Sequence, residues 1–215
     1  MALAEEKRRA AEAAAELVES GMIVGIGTGS TVAHLLAALA RRRLDLRCVA
    51  TSPATESEAR RLGLAVESFS GTSAPARLDI AIDGADQVDP DGWLVKGGGA
   101  AHTREKAVAA AADRFVVVVD SSKVVDRLSP PVPLELFEFG LAATLERLVS
   151  VELRDAARSP DGGVIADYTG AFSDPGSLAA RLAAEPGVVE HGLFPPELVS
   201  DVVVATGNAV EIRAL

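Results

Sequence analysis

Apolar and polar positions alternate in blocks along the first half of the chain, and the blocks predict strands and helices in turn. Short apolar runs bounded by turn residues predict strands at 22–26, 46–50, 64–68, 78–82 and 115–119. Amphipathic or alanine-rich stretches between them predict helices at 3–19, 31–43, 53–63 and 101–112. This alternation predicts an α/β fold, with a mostly parallel sheet and helices on both faces.

The pattern changes after about residue 129, where SPPVPLEL brings three prolines into eight residues. Helices are predicted at 138–149 and 175–184, the second with Asp174 as N-cap and Pro175 at its first position. Short strands surround them. We therefore expect an α/β catalytic domain from residues 1–129 and 200–215, and a smaller α+β domain from residues 130–199.

Charge and composition narrow the function classes. The formal net charge of −10 argues against a nucleic-acid partner and means that a phosphorylated ligand needs local cations or backbone N–H groups. One cysteine and three histidines form no zinc spacing, so we expect no metal. No apolar run is long enough for a membrane span, and the charged start is unlike a signal peptide. These features predict a cytoplasmic protein without a membrane partner.

The stretch VGIGTGSTVAH places Thr28, Gly29, Ser30 and Thr31 between a predicted strand and a predicted helix. Glycines allow close approach of the backbone, and a helix start offers N–H groups to an anion. The dinucleotide fingerprint, the P-loop and the serine-hydrolase elbow do not fit these residues. The stretch favours phosphate binding over the alternative of a plain tight turn.

The stretch DGAD follows the apolar LDIAI, so Asp83 and Asp86 are expected at the carboxyl end of a strand. Ligands bind at that edge in open α/β sheets. A calcium loop is a poor match, because Gly98 stands where the closing glutamate belongs. Residues 89–92 are better interpreted as a turn between two short strands.

The stretch KGGGAAHTREK adds Lys96, three glycines and Glu105 near a helix start. Glu105 alone could simply stabilise the helix N-terminus. Together with Lys96 and consecutive glycines, it is typical of a carboxylate base beside a cation that stabilises an oxyanion. That arrangement suits proton abstraction next to a carbonyl group.

The motifs GIGTGST, DGAD, KGGGAAHTREK and DSSKVVDRL, in this order, resemble those of ribose-5-phosphate isomerases of the A type, and the resemblance covers nearly the whole chain. It implies interconversion of ribose 5-phosphate and ribulose 5-phosphate through an enediolate, in the non-oxidative pentose phosphate pathway, without metal or cofactor. It also implies a homodimer or homotetramer. Glu105 would be the base, Lys96 would stabilise the oxyanion, and Asp83 and Asp86 would contact sugar hydroxyls and assist ring opening.

The same resemblance implies a set of substrate-binding residues, with the two lysines as phosphate partners: Lys7, Thr28, Gly29, Ser30, Thr31, Gly84, Ala85, Gly97, Gly98, Gly99 and Lys123. Two positions depart from the family pattern. Gln87 stands where many members have glutamate, and His102 replaces an apolar residue; we expect His102 to face outward in a neutral role. His34 and His191 are expected to be structural, and Cys48 to lie in the core.

Three other functions remain open. A coenzyme A transferase-like enzyme would use its glutamate as a nucleophile and form a covalent intermediate. A sugar-phosphate deaminase-like enzyme belongs to the same broad fold group. A non-catalytic sugar-phosphate sensor would bind its ligand without turnover, and ligand-dependent thermal stabilisation without product would identify it.

Overall fold

The computed structural model describes residues 2–155 and 157–215, and it contains both helices and strands. The strands are β1 (Ile23–Ile26), β2 (Arg47–Ala50), β3 (Ala65–Val66), β4 (Ile80–Asp83), β5 (Gln87–Val88), β6 (Leu94–Val95), β7 (Phe115–Asp120), β8 (Val132–Leu136), β9 (Val151–Leu153), β10 (Val164–Tyr168), β11 (Val188–His191), β12 (Leu193–Phe194), β13 (Asp201–Thr206) and β14 (Ala209–Ala214). The helices are α1 (Ala2–Ala15), α2 (Ser30–Arg42), α3 (Pro53–Arg61), α4 (His102–Ala111), α5 (Leu141–Arg147) and α6 (Pro175–Ala183).

The chain divides into two compact units. The first comprises Met1–Ala85, Arg104–Val124 and Glu197–Leu215, and the second comprises Asp86–Thr103 and Val125–Pro196. The sequence-based boundaries differ from these units at residues 125–129, which belong to the second unit, and at 197–199, which belong to the first. They also assigned residues 86–103 to the catalytic domain, whereas the structure groups them with the second unit. The reason is strand pairing, since β5 pairs with β6 and β6 pairs with β12.

The first unit is built on a seven-stranded sheet of order β14-β13-β7-β4-β1-β2-β3, parallel except for β14. One face packs with α1 and α2 in a continuous core that includes Ile26, Leu36 and Val118. Gly25 lies on the opposite face of β1, where a Cβ would stand 2.4 Å from Val108 of α4. Helices therefore cover both faces, and the predicted α/β class is confirmed.

The second unit contains two antiparallel sheets, one of order β11-β8-β10-β9 and one of order β12-β6-β5. Its core includes Leu134 and Leu136 of β8 with Leu178 and Leu182 of α6. Helix α6 begins as the sequence predicts, since the Asp174 carboxylate accepts hydrogen bonds from the N–H groups of residues 176 and 177. In the described part of the chain, every helix is too short or too polar to cross a membrane.

Candidate active site

The glycine turn after β1 is hydrogen-bonded to Asp83 at the end of β4. Asp83 is 3% exposed, and its Oδ1 accepts hydrogen bonds from the N–H groups of Thr28 (3.1 Å) and Gly84 (2.7 Å). A Cβ on Gly27 would stand 1.8 Å from Asp83 Cγ, so only glycine leaves space for this carboxylate. The hydroxyl of Thr28 lies 2.8 Å from that of Thr51, which fixes the side chain within the turn.

The ammonium group of Lys7, from α1, lies at the start of α2. Gly29 precedes the helix with a φ of 122°, a conformation that favours glycine, and Ser30 is the first helical residue. Lys7 Nζ donates to Ser30 Oγ at 3.0 Å and lies 4.0 Å from an oxygen of the buried Asp120. Positive charge, a hydroxyl and a helix N-terminus thus meet within the first unit, as an anion site requires.

The second predicted cation, Lys123, ends a short 3₁₀ turn that two carboxylates hold in place. Asp120 accepts hydrogen bonds from the N–H (3.0 Å) and hydroxyl of Ser122. Glu6 of α1, itself buried, accepts from the N–H (3.1 Å) and hydroxyl (2.7 Å) of Ser121 and from the N–H of Gly207 (2.8 Å). These donors, Gly207 foremost, hold the pKa of the Glu6 carboxyl below its usual range.

Glu105 lies in the first turn of α4 and is only 4% exposed. Glutamate side chains are rarely buried to this degree in proteins unless they are paired or functional. The residue two positions before it, Thr103, donates its hydroxyl hydrogen to the buried Glu135 of β8, which also accepts from Ser159. Thr103, the second residue of α4, is therefore held by β8 within the second unit.

Lys96 directly follows β6 and is 3% exposed. Its backbone N–H donates to the carbonyl oxygen of Gly192 at 2.8 Å, and its ammonium group lies 5.4 Å from the centre of the Phe194 ring. Contact with an aromatic face provides electrostatic stabilisation for a desolvated cation. Both contacts fix the position of Lys96 within the second unit.

The three glycines after Lys96 form a loop with a specific partner, Asp86. The N–H of Gly98 donates to Asp86 Oδ2 at 2.8 Å, and a Cβ on Gly98 would stand 2.9 Å from Asp86 Oδ1. Gly97 has a φ of 107°, and a Cβ there would stand 2.7 Å from His102 Nδ1. Glycine at position 97 therefore permits close packing of the His102 ring, whereas an added side chain at position 98 would require the Asp86 carboxylate to shift.

The prediction that His102 faces outward is wrong. The side chain is fully buried, and its Nε2 lies 3.3 Å from the carbonyl oxygen of Glu190, which accepts a hydrogen bond. The physical reason is Gly97, whose missing side chain leaves the space that the imidazole ring fills. Cys48 is buried as expected, and burial raises the pKa of its thiol to about 11.

The hydrogen bonds of Gln87 explain why an amide, rather than a glutamate, suits this position. Its amide nitrogen donates to the carbonyl oxygen of Ser129 at 2.9 Å, while its amide oxygen accepts from the Ser129 N–H at 2.8 Å. An ionised glutamate could accept the second bond but could not donate the first. The amide thus anchors the segment that leads into β8.

Within the first unit, the structure brings Thr28 and Gly84 to Asp83, and Ser30 to Lys7; within the second, it brings Gly98 to Asp86. Sequence reasoning missed Glu6 as a contributor. The available signal was its position one helical turn before Ala10 and two turns before Ala14, in the buried stripe of α1.

Two family models match parts of the chain, one of them over most of its length. The family model described as ribose 5-phosphate isomerase A (phosphoriboisomerase A) matches residues 47–209, and a model of the DeoR C-terminal sensor domain matches residues 3–75. The Halobacterium salinarum protein named Ribose-5-phosphate isomerase A is 48% identical over 223 aligned residues, which cover 98% of this chain and 96% of the relative.

Solved structures give the same result. Ribose 5-phosphate isomerase A from Neisseria gonorrhoeae is 32% identical, with a TM-score of 0.92 and coverage of 99% of this chain and 97% of the other. A D-ribose-5-phosphate isomerase in complex with phospho-erythronic acid is 33% identical, with a TM-score of 0.91 and full coverage of both chains, 100% and 100%.

Proposed function

This chain belongs to the ribose 5-phosphate isomerase A family, and we infer that it interconverts D-ribose 5-phosphate and D-ribulose 5-phosphate. The observation that carries this inference is the 48% identity over 98% of the chain to a relative of that name. The substrate class is thus a phosphorylated pentose. The single cysteine suits a reducing compartment, and we expect a cytoplasmic location.

We propose Glu105 as the base. It would take the proton from C2 of the open-chain aldose, and the electron pair of that C–H bond would form a C1–C2 double bond while the C1 carbonyl becomes an oxyanion. Return of the proton to C1, with transfer of the O2 hydroxyl proton to O1, would give the ketose. The buried position of Glu105 on a helix supports this role, because a fixed base in a water-poor site transfers protons efficiently.

We propose Lys96 and the glycine loop of Gly97, Gly98 and Gly99 as the stabilisers of the enediolate oxygen. A buried ammonium group acts strongly on developing negative charge because little water screens it. Asp83, with its neighbours Gly84 and Ala85, and Asp86 would contact sugar hydroxyls and assist ring opening.

We propose that the phosphate binds at the start of α2. Lys7, Ser30 and Thr31 supply a cation, hydroxyls and helix N–H groups there, and Lys123 supplies a second cation. Such a local site is needed because the net charge of −10 repels anions at long range.

We also propose that the protein self-associates as a homodimer or homotetramer. Phe139 is 96% exposed and Phe137 is 55% exposed, and large apolar side chains in this state commonly mark interfaces. Light scattering after size-exclusion chromatography is expected to give a multiple of 22.1 kDa, decreasing in a Phe139→Ser variant. A wild-type mass of one chain would contradict this proposal.

The test of function is NMR of ribose 5-phosphate in D₂O with EDTA-treated protein. Wild type is expected to form ribulose 5-phosphate with deuterium at the exchanging carbon, and Glu105→Gln is expected to be slower by roughly 10²–10⁴-fold. Glu146→Gln, on the exposed face of α5, is the matched control and should behave as wild type. Near-normal turnover by Glu105→Gln would remove Glu105 from the base role.

Two further measurements, a thermal shift and mass spectrometry after incubation with substrate, separate the alternative functions. The match of residues 3–75 to a DeoR sensor domain favours, as a second candidate, a protein that binds a sugar phosphate without converting it. A thermal shift with ribose 5-phosphate but no product would support this sensor function. A stable acyl adduct on mass spectrometry would instead support a transferase.

A further inference from the structure

An ion pair beneath the glycine loop is part of no motif found in the sequence. Arg154 directly follows β9, and Asp167 lies on the adjacent antiparallel strand β10. The guanidinium group donates through Nε and Nη2 to the two Asp167 oxygens, each at 2.6 Å. Its remaining nitrogen, Nη1, donates to the carbonyl oxygens of Gly97 at 3.0 Å and Gly98 at 3.4 Å.

These contacts fix the direction in which the loop presents its N–H groups. A trans peptide is planar, with its C=O and N–H pointing in opposite directions. Because Arg154 binds the carbonyls of Gly97 and Gly98, the N–H groups of Gly98 and Gly99 point away from it. The Gly98 N–H accordingly reaches Asp86 on the other side, at 2.8 Å.

The charge of Arg154 adds to this orientation. A cation bound at a peptide carbonyl polarises that peptide, which makes the N–H at its other end a stronger donor. Three consecutive glycines have little conformational preference of their own, so an external group must hold the loop. A bidentate Arg–carboxylate pair on neighbouring strands is a rigid support of this kind.

We propose that Arg154 and Asp167 are positioning residues that hold the two peptides between residues 97 and 99, so that the Gly98 N–H stays on Asp86 and the Gly99 N–H is directed at the enediolate oxygen. This inference rests on the proposed isomerase function. Asp167 orients the guanidinium group, and Arg154 orients and polarises the loop. Neither residue takes a proton from the sugar or touches its phosphate.

The test compares Arg154→Lys and Asp167→Asn with wild type, using Arg147→Lys as the matched control. Arg147 forms a similar pair with Glu185, and neither residue is assigned to the site. A misdirected Gly99 N–H is expected to lower kcat by about 10- to 100-fold in Arg154→Lys and by a smaller factor in Asp167→Asn, with KM changed less than threefold. Melting temperatures are recorded to confirm folding.

Two inhibitors provide a measurement that a purely structural role would not change. Phospho-erythronic acid ends in a carboxylate that resembles the enediolate oxygens, whereas ribitol 5-phosphate has the same phosphate and a neutral end. The Ki of the first is expected to rise in step with the loss of kcat in both variants, and that of the second to stay constant.

The outcomes separate this inference from the function on which it rests. An active wild type with an Arg154→Lys variant within twofold of its kcat would overturn the positioning role alone. Equal weakening of both inhibitors would also overturn it, because general disruption of the site would then explain the loss. A wild type that does not isomerise ribose 5-phosphate would overturn the proposed function itself.

Discussion

Gly27→Ala tests the contact between the glycine turn and the Asp83 carboxylate. The added Cβ would stand 1.8 Å from Asp83 Cγ and 1.9 Å from Oδ1. Non-bonded carbon atoms prefer a separation of about 3.5–4.0 Å, so the carboxylate must move by roughly 2 Å. That movement breaks the bonds it accepts from the N–H groups of Thr28 (3.1 Å) and Gly84 (2.7 Å).

The expected loss follows from those two bonds. Hydrogen bonds to a charged group contribute about 1.5–3 kcal/mol each to stability, and small-to-large changes in a packed site cost about 1–3 kcal/mol. Since the displaced carboxylate regains some partners, we expect a loss of about 3 kcal/mol in the free energy of unfolding. In a chain of this length, that corresponds to a decrease in Tm of roughly 6–12 °C.

Scanning calorimetry at pH 7 measures this directly, and Gly84→Ala is the matched stability control. A Cβ on Gly84 would meet only the Val118 carbonyl oxygen at 3.7 Å, an ordinary contact, so its Tm is expected within about 2 °C of wild type. If the Tm of Gly27→Ala equals that of the control and both are close to wild type, the close approach of Asp83 to the turn is refuted. If both variants lose stability equally, the cost reflects glycine replacement in general.

Four further predictions concern titration, polarity and charge. Cys48, with a pKa of about 11, should not be alkylated by iodoacetamide at pH 8 until urea unfolds the chain. The neutral Cys48 thiol contributes its full stabilisation below about pH 8.5, and this stabilisation is lost as the pH rises toward 11. Glu6 has a lowered pKa, so the Tm difference between wild type and Glu6→Gln should be largest at neutral pH and shrink as the pH falls below about 4.3. The free energy of unfolding measured in urea should be about 1 kcal/mol lower in Gln87→Glu, because a carboxylate cannot donate to the Ser129 carbonyl oxygen. Lys96→Ala should lower kcat more than it raises KM, as expected for a contact strongest in the transition state, and an unchanged kcat would exclude Lys96 from that role.

Most of the sheet of the first unit could be predicted because its central strands are local apolar runs. FVVVV and DVVVAT are apolar on both faces, as buried parallel strands are, and they become the adjacent strands β7 and β13. Strands β5, β6 and β12 have two residues each, too few for any periodicity to show. Their pairing depends on residues distant in sequence, so the grouping of residues 86–103 with the second unit had no local signal.

The candidate site shows the same limit. Motif residues such as Asp83 and Lys96 could be identified because they stand next to glycines and strand ends. Arg154 and Glu6 could not be assigned roles in this way, because an arginine after a short strand and a glutamate in a charged helix also occur on ordinary surfaces. His102 was misjudged for a related reason: the space it fills is created by the backbone conformation of Gly97, which sequence alone does not give.

Two glycines of the site motifs have a common physical cause, which explains why each is paired with an acidic residue. Gly27 leaves space for the Asp83 carboxylate, and Gly98 leaves space for that of Asp86. In each case the carboxylate accepts backbone N–H bonds from the turn or loop it approaches, which an intervening side chain would prevent. The carboxylates therefore hold the turn and the loop in position, and the conformational freedom of glycine is removed by the same contact that requires it.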